Sequence, residues 1–334
     1  MADVTRRILA IDAVRGLALA GLPVVNLALT FDEGDYPVPG PFSSFIYHEL
    51  VYQRFLTIFC FLFGVSFALI LEAASRRAAR PRLVLARRLV ALLAISVFQM
   101  LALDGNLQLA VYAVLGTVVL LPLSYLPRRL VLILGVVMLA ASMPITELDP
   151  ENAGNPLKIL LEWSGLLALG SSVVRYGLHT DPTGRGRRLG ALLAVTAALA
   201  TASILVDPET ATVPGAVLAE VGLLSTSAAY VFGLLLLLRS RAAPALTAAL
   251  APIGRMALTC FLTQAGAAVA LAALVDVRDW SYAALTFGGT AVLITAQAVV
   301  CSWWLRRFRY GPVEWLWRWA TELAPVTMRR ATAA

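Results

Sequence analysis

Residues Ile8–Thr30 read ILAIDAVRGLALAGLPVVNLALT, an apolar run interrupted by one Asp and one Arg. As a helix this stretch is about 34 Å long, enough to cross a hydrocarbon layer of roughly 30 Å. No cleavage-site pattern follows it, so it reads as a retained anchor rather than a signal peptide. Further runs of the same kind follow at 50–74, 89–104, 107–125, 129–147, 157–177, 189–206, 216–238, 251–275 and 281–304. Because the apolar residues are continuous rather than alternating, helices and not barrel strands are expected. The fold class is therefore all-α: one polytopic membrane bundle over 1–334, with about ten transmembrane helices.

Composition agrees. Hydrophobic residues make up 60% of the chain and charged residues 14%, too little polar surface to cover a soluble core of this size. The formal charge of +7 raises the question of a nucleic-acid partner, but its placement argues against one. Basic residues collect in alternate connections: Arg6 and Arg7; Arg76 to Arg88; Arg128 and Arg129; Arg185 to Arg188; Arg239 and Arg241; and Arg306 onward. The intervening connections carry Asp32, Glu33 and Asp35, then Asp104, Glu147 to Glu151, Asp207 and Glu209, and Asp276 and Asp279. By the positive-inside rule this places both termini in the cytoplasm of a multi-pass cell-membrane protein. The basic face then meets anionic lipid.

Most connections are short, so successive helices should pack antiparallel. Two segments differ. The outer loop 31–49, FDEGDYPVPGPFSSFIYHE, holds one of the chain's two histidines, and the terminal 306–330 stretch reads as a cytoplasmic interfacial helix. Trp315, Trp317 and Trp319 with Arg318 suit the headgroup level. Cys60, Cys260 and Cys301 fall inside spans at spacings that give neither a disulfide framework nor a metal site, so they read as packing residues. His179, beside Arg175 in a basic connection, reads as solvated.

Ionisable and amide side chains at membrane depth are the candidates for function. Asp12 and Arg15, three residues apart in span 1, can neutralise one another. Asn26 lies eleven residues beyond Arg15, about three turns, on nearly the same face. On the outer side a second group is expected from His48, Gln53, Arg54, Gln99, Asn106, Gln108 and Glu220. His48 is a candidate general base there, a solvated loop histidine being the plainer alternative. Arg54 either joins the site or snorkels to the interface. Thr259, Thr263 and Gln264 put hydrogen-bonding groups on span 9, where tying helices together is the default role.

Four blocks carry a resemblance. RILAIDAVRGLALAGLPVVNLAL (7–29), YQRFLTIFCFLFGVSFAL (52–69), PIGRMALTCFLTQ (252–264) and GPVEWLWR (311–318) occur in that order. Together they resemble the YeiB-like bacterial membrane proteins, whose pattern has Leu-Asp-x-x-Arg-Gly opening the first helix, Gly-Arg-Met-Ala-Leu-Thr later, and Gly-Pro-x-Glu-Trp-x-x-Arg near the end. That family is similar to transmembrane acyltransferases that include the heparan-α-glucosaminide N-acetyltransferase. The resemblance implies acyl transfer from cytoplasmic acyl-CoA as co-substrate to a small-molecule, lipid-linked or saccharide acceptor at the outer face. No zinc spacing appears, so no metal is expected, and the charge placement leaves no nucleic-acid partner; membrane lipids surround the bundle and a homo-oligomer is permitted. In the relatives an outer-side histidine ahead of the Phe-rich helix serves the transfer, the place that His48 takes here.

On this reading Asp12, Arg15 and Arg255 hold the CoA-facing end, guanidinium groups suiting phosphates. His48 deprotonates the acceptor, and Asn26 or Gln99 stabilises the oxyanion. Arg54, Asn106, Glu220 and Gln264 are the expected acceptor contacts. The chain departs from the pattern at SVFQMLALDGNLQL, where Gln99 and Asn106 stand in place of His and Asp, and Cys260 and Phe261 replace Asn and Tyr. Altered acceptor choice and lost catalysis both follow from such departures. A transporter of a small or lipid-linked molecule is the competing class, and broken helices would favour it.

Overall fold

A computed structural model describes residues 2–30, 39–103, 108–148, 155–180, 186–206, 215–276, 280–322 and 326–329. Its helices, in chain order, are α1 (Ala2–Thr30), α2 (Pro41–Phe45), α3 (Arg54–Ser75), α4 (Pro81–Leu103), α5 (Gln108–Leu115), α6 (Leu121–Leu123) and α7 (Arg128–Leu148). They continue with α8 (Pro156–Arg175), α9 (Gly186–Leu205), α10 (Gly215–Leu237), α11 (Ala243–Arg255), α12 (Ala257–Leu274), α13 (Gly289–Arg307) and α14 (Pro312–Glu322). Short π-helical turns precede α3 and α13 and join α5 to α6. Among the described residues there is no strand, only an isolated bridge between Phe308 and Arg329.

Nine helical stretches of the described chain are long and apolar enough to cross a membrane, and Gln108–Leu123 is a shorter apolar one. The all-helical membrane fold read from the sequence is therefore the one observed. Surfaces that would be a liability in water support it: α7 exposes Ile133, Val136 and Val137, and α9 exposes Leu192, Val195 and Leu199. In lipid such faces need no cover.

The helices gather into two compact units. The first comprises residues 1–56, 94–107 and 237–334; the second comprises 57–93 and 108–236. In the second unit α7 and α8 form the most extensive helix pair. There α3 and α8 touch backbone to backbone: a Cβ on Gly64 would lie 2.1 Å from Leu167 O, and one on Gly170 would lie 2.0 Å from Phe61 O. Small residues permit this approach, which replaces the hydrophobic drive that lipid does not supply. Asn155 caps α8 by accepting from the Leu157 N–H at 3.0 Å, with Pro156 in the first turn.

Two arginines stabilise the short α6. Arg175 donates to the carbonyls of Leu126 (2.8 Å) and Leu123 (3.1 Å), and Arg82 donates to Ser124 Oγ (3.0 Å) and O (3.2 Å). Cations belong at helix C-termini, where carbonyls lack partners. These basic residues thus serve the fold as well as the charge pattern. His179 differs from expectation: it is buried in a turn of 3₁₀-helix.

In the first unit α1 packs on α11, α12 and α13. Span 9, read as one helix over 251–275, is two: α11 ends at Arg255, Met256 leaves helical geometry (φ −109°, ψ 38°), and α12 begins at Ala257. Pro252 inside α11 lacks an N–H and crowds the preceding turn, which weakens the ladder just before the break.

Candidate functional site at the helix break

A break inside a membrane helix exposes carbonyls on one side and N–H groups on the other, and both need partners. Here each end has one. Arg15 Nη1 donates to Asp12 Oδ1 at 2.9 Å and to Gly254 O, near the end of α11, at 3.3 Å. A Cβ on Gly254 would lie 1.9 Å from Asp12 O, and one on Gly16 would lie 2.1 Å from Leu250 O. Glycines at both positions let α1 and α11 meet at their backbones, bringing the guanidinium to the helix end.

On the other side, Glu314 of α14 caps α12. Its Oε1 accepts from the N–H of Leu258 (2.6 Å) and of Thr259 (3.1 Å), and its Oε2 accepts from the Thr259 hydroxyl (2.6 Å). The Val313 N–H donates in turn to Thr259 Oγ1 at 3.2 Å. A Cβ on Gly311 would lie 2.2 Å from Glu314 Oε2, so glycine is what allows the carboxylate to fold across. Burial pushes the Glu314 carboxyl above the usual carboxylate range, while the Thr259 hydroxyl and the backbone N–H groups pull it back down.

A polar seam continues from this junction. Thr263 donates to Thr259 O at 2.9 Å and accepts from Gln297 Nε2 at 2.8 Å, and Gln297 Nε2 also reaches Cys260 O at 3.0 Å. Gln264 Nε2 donates to Gln297 Oε1 (2.9 Å) and to Leu19 O (3.2 Å), tying α12 to α13 and α1. Gln264 Oε1 is buried without a hydrogen-bond partner among the described residues. Cys260 and Cys301 lie side by side, Sγ to Sγ 3.4 Å, as free thiols on α12 and α13.

Glu314 yields a direct prediction. Changing it to Ala strands three half-buried donors and should destabilise the purified protein by roughly 2–3 kcal/mol in thermal unfolding. Glu314→Gln keeps an acceptor for both N–H groups and should cost less than half of that. The raised carboxyl holds its proton longer in the folded chain than in the unfolded one. Its stabilising contribution is therefore present at low pH and declines as pH rises through its folded value. The Gln variant should lose that slope; an unchanged slope would place its origin elsewhere.

The other expected site residues are distributed as follows. His48 is exposed on the π-helical turn Ile46–Val51, with its ring edge-on to Tyr47 at 5.0 Å. Arg54 is buried and bonded to the carbonyls of His48 and of Tyr52 (3.0 Å), with Glu49 at 3.6 Å. It thereby closes the turn into α3, where Gln53 adopts a left-handed φ of 60°. Asn26 is half-buried on α1. Gln99 is fully buried on α4, its Oε1 without a partner among the described residues. Arg255 is exposed at the end of α11, within electrostatic reach of Asp12. Glu220 belongs to the second unit, where Lys158 Nζ lies 3.7 Å from it. Asn106 lies outside the described residues.

Sequence reading passed over Glu314, Gln297, Lys158 and Glu162. Gln297, Lys158 and Glu162 are polar residues inside apolar runs, the signal that singled out Gln264. Glu314 sat in a quoted block with no role, because its partners lie 55 and 56 residues earlier.

Two tryptophans fix the segments on either side of α14. Trp304 Nε1 of α13 donates to Tyr310 O in the connection before it at 2.9 Å, and Trp315 Nε1 of α14 donates to Val326 O in the segment after it at 2.8 Å. The helix leaves Leu316 and Trp319 exposed, as an interfacial helix would.

Comparison with known proteins adds the following. No solved structure matches the chain. An uncharacterised 39.9 kDa protein encoded in the amylase 3′ region of Bacillus acidopullulyticus is 26% identical over 345 residues, covering 94% of each chain. Residues 173–324, which hold the two blocks that build the α12 side of the junction, match the family described as protein of unknown function (DUF418), to which YeiB-like proteins belong.

Proposed function

We propose that the chain is a membrane acyltransferase that moves an acyl group from acyl-CoA on the cytoplasmic side to an acceptor at the outer face. The observation that supports this reading most is a convergence. Three blocks that carry the resemblance, Asp12–Gly16, Gly254–Thr259 and Gly311–Glu314, build one junction although up to 300 residues separate them in sequence. Residue types shared with a family at such distant places, and meeting in space, are best explained by a common site.

Within that site the roles divide. Arg15 is committed to Asp12 and to the end of α11, so it shapes the junction. Arg255 serves as the guanidinium that meets a phosphate of the incoming CoA, a role that its exposure supports. The α14 helix closes the junction at its cytoplasmic mouth. His48 accepts the proton of the acceptor hydroxyl or amine on the outer side, and Asn26 or Gln99 steadies the developing oxyanion.

The test is incubation of the purified protein with acyl-labelled acetyl-CoA, followed by search for free CoA and labelled lipid or saccharide. Arg255→Ala should raise KM for acyl-CoA with little change in kcat. Absence of both CoA release and labelled product, in protein that still binds CoA, would remove the enzymatic reading.

One observation favours a transporter as the second reading: the break between α11 and α12, since discontinuous helices line many transport sites. Labelled product distinguishes the two, because a transporter makes none. Orientation is tested separately. A cysteine introduced at position 150 should be labelled by an impermeant reagent in intact cells, and one at position 184 should not. Labelling of position 184, or of a cysteine in the C-terminal tail, would reverse the assignment.

A further inference from the structure

Two of the chain's three cysteines meet, and the acyl-transfer reading uses neither. Cys260 and Cys301 are 41 residues apart in sequence, on α12 and α13 of the first unit, yet their sulfurs lie 3.4 Å apart as free thiols. They are 1% and 3% exposed. The two helices are already held in register at this level. Gln297, one turn before Cys301, donates to Cys260 O at 3.0 Å and to Thr263 Oγ1 at 2.8 Å. Closing the sulfurs from 3.4 Å to the roughly 2.05 Å of an S–S bond is a step on the scale of side-chain rotation.

The position of Cys260 adds an independent observation. It lies in the first turn of α12, its N–H donating to Met256 O at 2.8 Å, and the start of a helix favours a sulfur anion. A thiolate formed there keeps the Cys301 S–H facing it as a donor. The Glu314 carboxylate at the same helix end opposes the anion, so the pair should react over hours rather than seconds. A structural zinc takes four ligands, and among the described residues no group of three His, Cys, Asp or Glu gathers to hold a metal. The chemistry left to two facing thiols is with each other.

The surroundings select the oxidant. Val299, Val300 and Trp303 flank Cys301 on α13 and are exposed, so this helix turns an apolar face to lipid beside the pair. A charged oxidant in water is excluded from thiols buried this deeply at membrane depth, whereas an apolar one dissolved in lipid arrives within a helix thickness of them. Cys60, the third cysteine, belongs to the second unit, where its Sγ donates to Trp163 O at 3.6 Å, and so serves as an internal control.

We propose that Cys260 and Cys301 form a redox modification site, at which a lipid-borne organic hydroperoxide closes a disulfide between α12 and α13. One sulfur attacks the terminal peroxide oxygen, the O–O bond breaks, and the alkoxide leaves as an alcohol with the thiol's proton. The sulfenic acid so formed is attacked by the second thiol: the S–S bond forms and water leaves. Two thiols are oxidised by two electrons, and one hydroperoxide is reduced to an alcohol and water. The bond fastens the start of α12, one residue beyond the Thr259 that Glu314 holds, to α13. Its redox state thereby sets how freely the break between α11 and α12 can move. The inference does not depend on acyl transfer.

The test exposes the full-length protein, in vesicles of saturated phosphatidylcholine, to cumene hydroperoxide. The protein is then denatured, and its thiols are alkylated and counted by mass spectrometry. The count should fall from three to one, with Cys260 and Cys301 recovered in linked peptides that dithiothreitol releases. Cys60→Ala should keep the linkage, and Cys260→Ala and Cys301→Ala should each abolish it. Oxidation should raise the unfolding temperature of the wild type by roughly 5 °C or more and leave those two variants unmoved. Tetrathionate, charged and confined to water, should close the pair far more slowly. Survival of all three thiols under conditions that oxidise dodecanethiol in the same vesicles would overturn the proposal. So would linkage through Cys60, or closure by tetrathionate at the same rate.

Discussion

Arg15→Ala is expected to destabilise the protein by roughly 3–5 kcal/mol, among the largest effects of any single substitution in the chain. The change removes the partner of Asp12, leaving a buried carboxylate without its cation. It also strips the bond from Gly254 O at the end of α11, a carbonyl at a helix end that has no intrahelical partner to fall back on. Asp12→Ala leaves the converse, an uncompensated guanidinium that still holds the helix end, and should cost somewhat less. The double change should be milder than Arg15→Ala, since it removes both charges together. Thermal unfolding of the four proteins in one detergent gives the double-mutant cycle, and strictly additive losses would show that the pair does not act as a unit. Arg15→Lys should fall between wild type and Ala: the charge remains, but the planar fork that serves Asp12 and Gly254 at once is lost.

The second large effect concerns chemistry rather than folding. If His48 is the general base of the proposed acyl transfer, His48→Ala should lower turnover by about 10²–10⁴-fold and leave CoA binding nearly intact. The residue is well placed for a clean experiment. It is exposed on its turn, and Arg54 binds its backbone carbonyl rather than its ring, so replacing the side chain leaves the local fold standing. His48→Gln is the sharper variant, because it retains size and hydrogen bonding without basicity. Full acyl transfer by His48→Gln would withdraw the catalytic assignment while sparing the acyltransferase reading. Labelled-product assays alongside CoA-binding measurements separate these outcomes.

Much of the architecture was legible because its cause is local. A run such as Ile8–Thr30 must satisfy its own backbone in lipid, and only a helix does so, whatever its neighbours are. The same logic delivered the helix at nearly every apolar run, including the short Gln108–Leu123. Asp12 and Arg15 were readable as a pair because three residues on a helix bring them together without help from elsewhere.

What failed to show in the sequence has a cause that is not local. Span 9 is hydrophobic enough to continue through Met256, and nothing between 251 and 275 demands a stop beyond the weakening at Pro252. The break is held open because Arg15, 239 residues before Gly254, satisfies one end and Glu314, 56 residues after Leu258, satisfies the other. Likewise Glu220 stands out by itself as a carboxylate in an apolar run, but its pairing with Lys158 exists only when α8 and α10 are packed together. The sequence by itself determined a helical membrane bundle and one ion pair, because backbone satisfaction and helix spacing act within a segment. Only the tertiary structure decided where a helix is interrupted and which charges meet, because those depend on partners that the chain brings from far away to groups that lipid would leave unsatisfied.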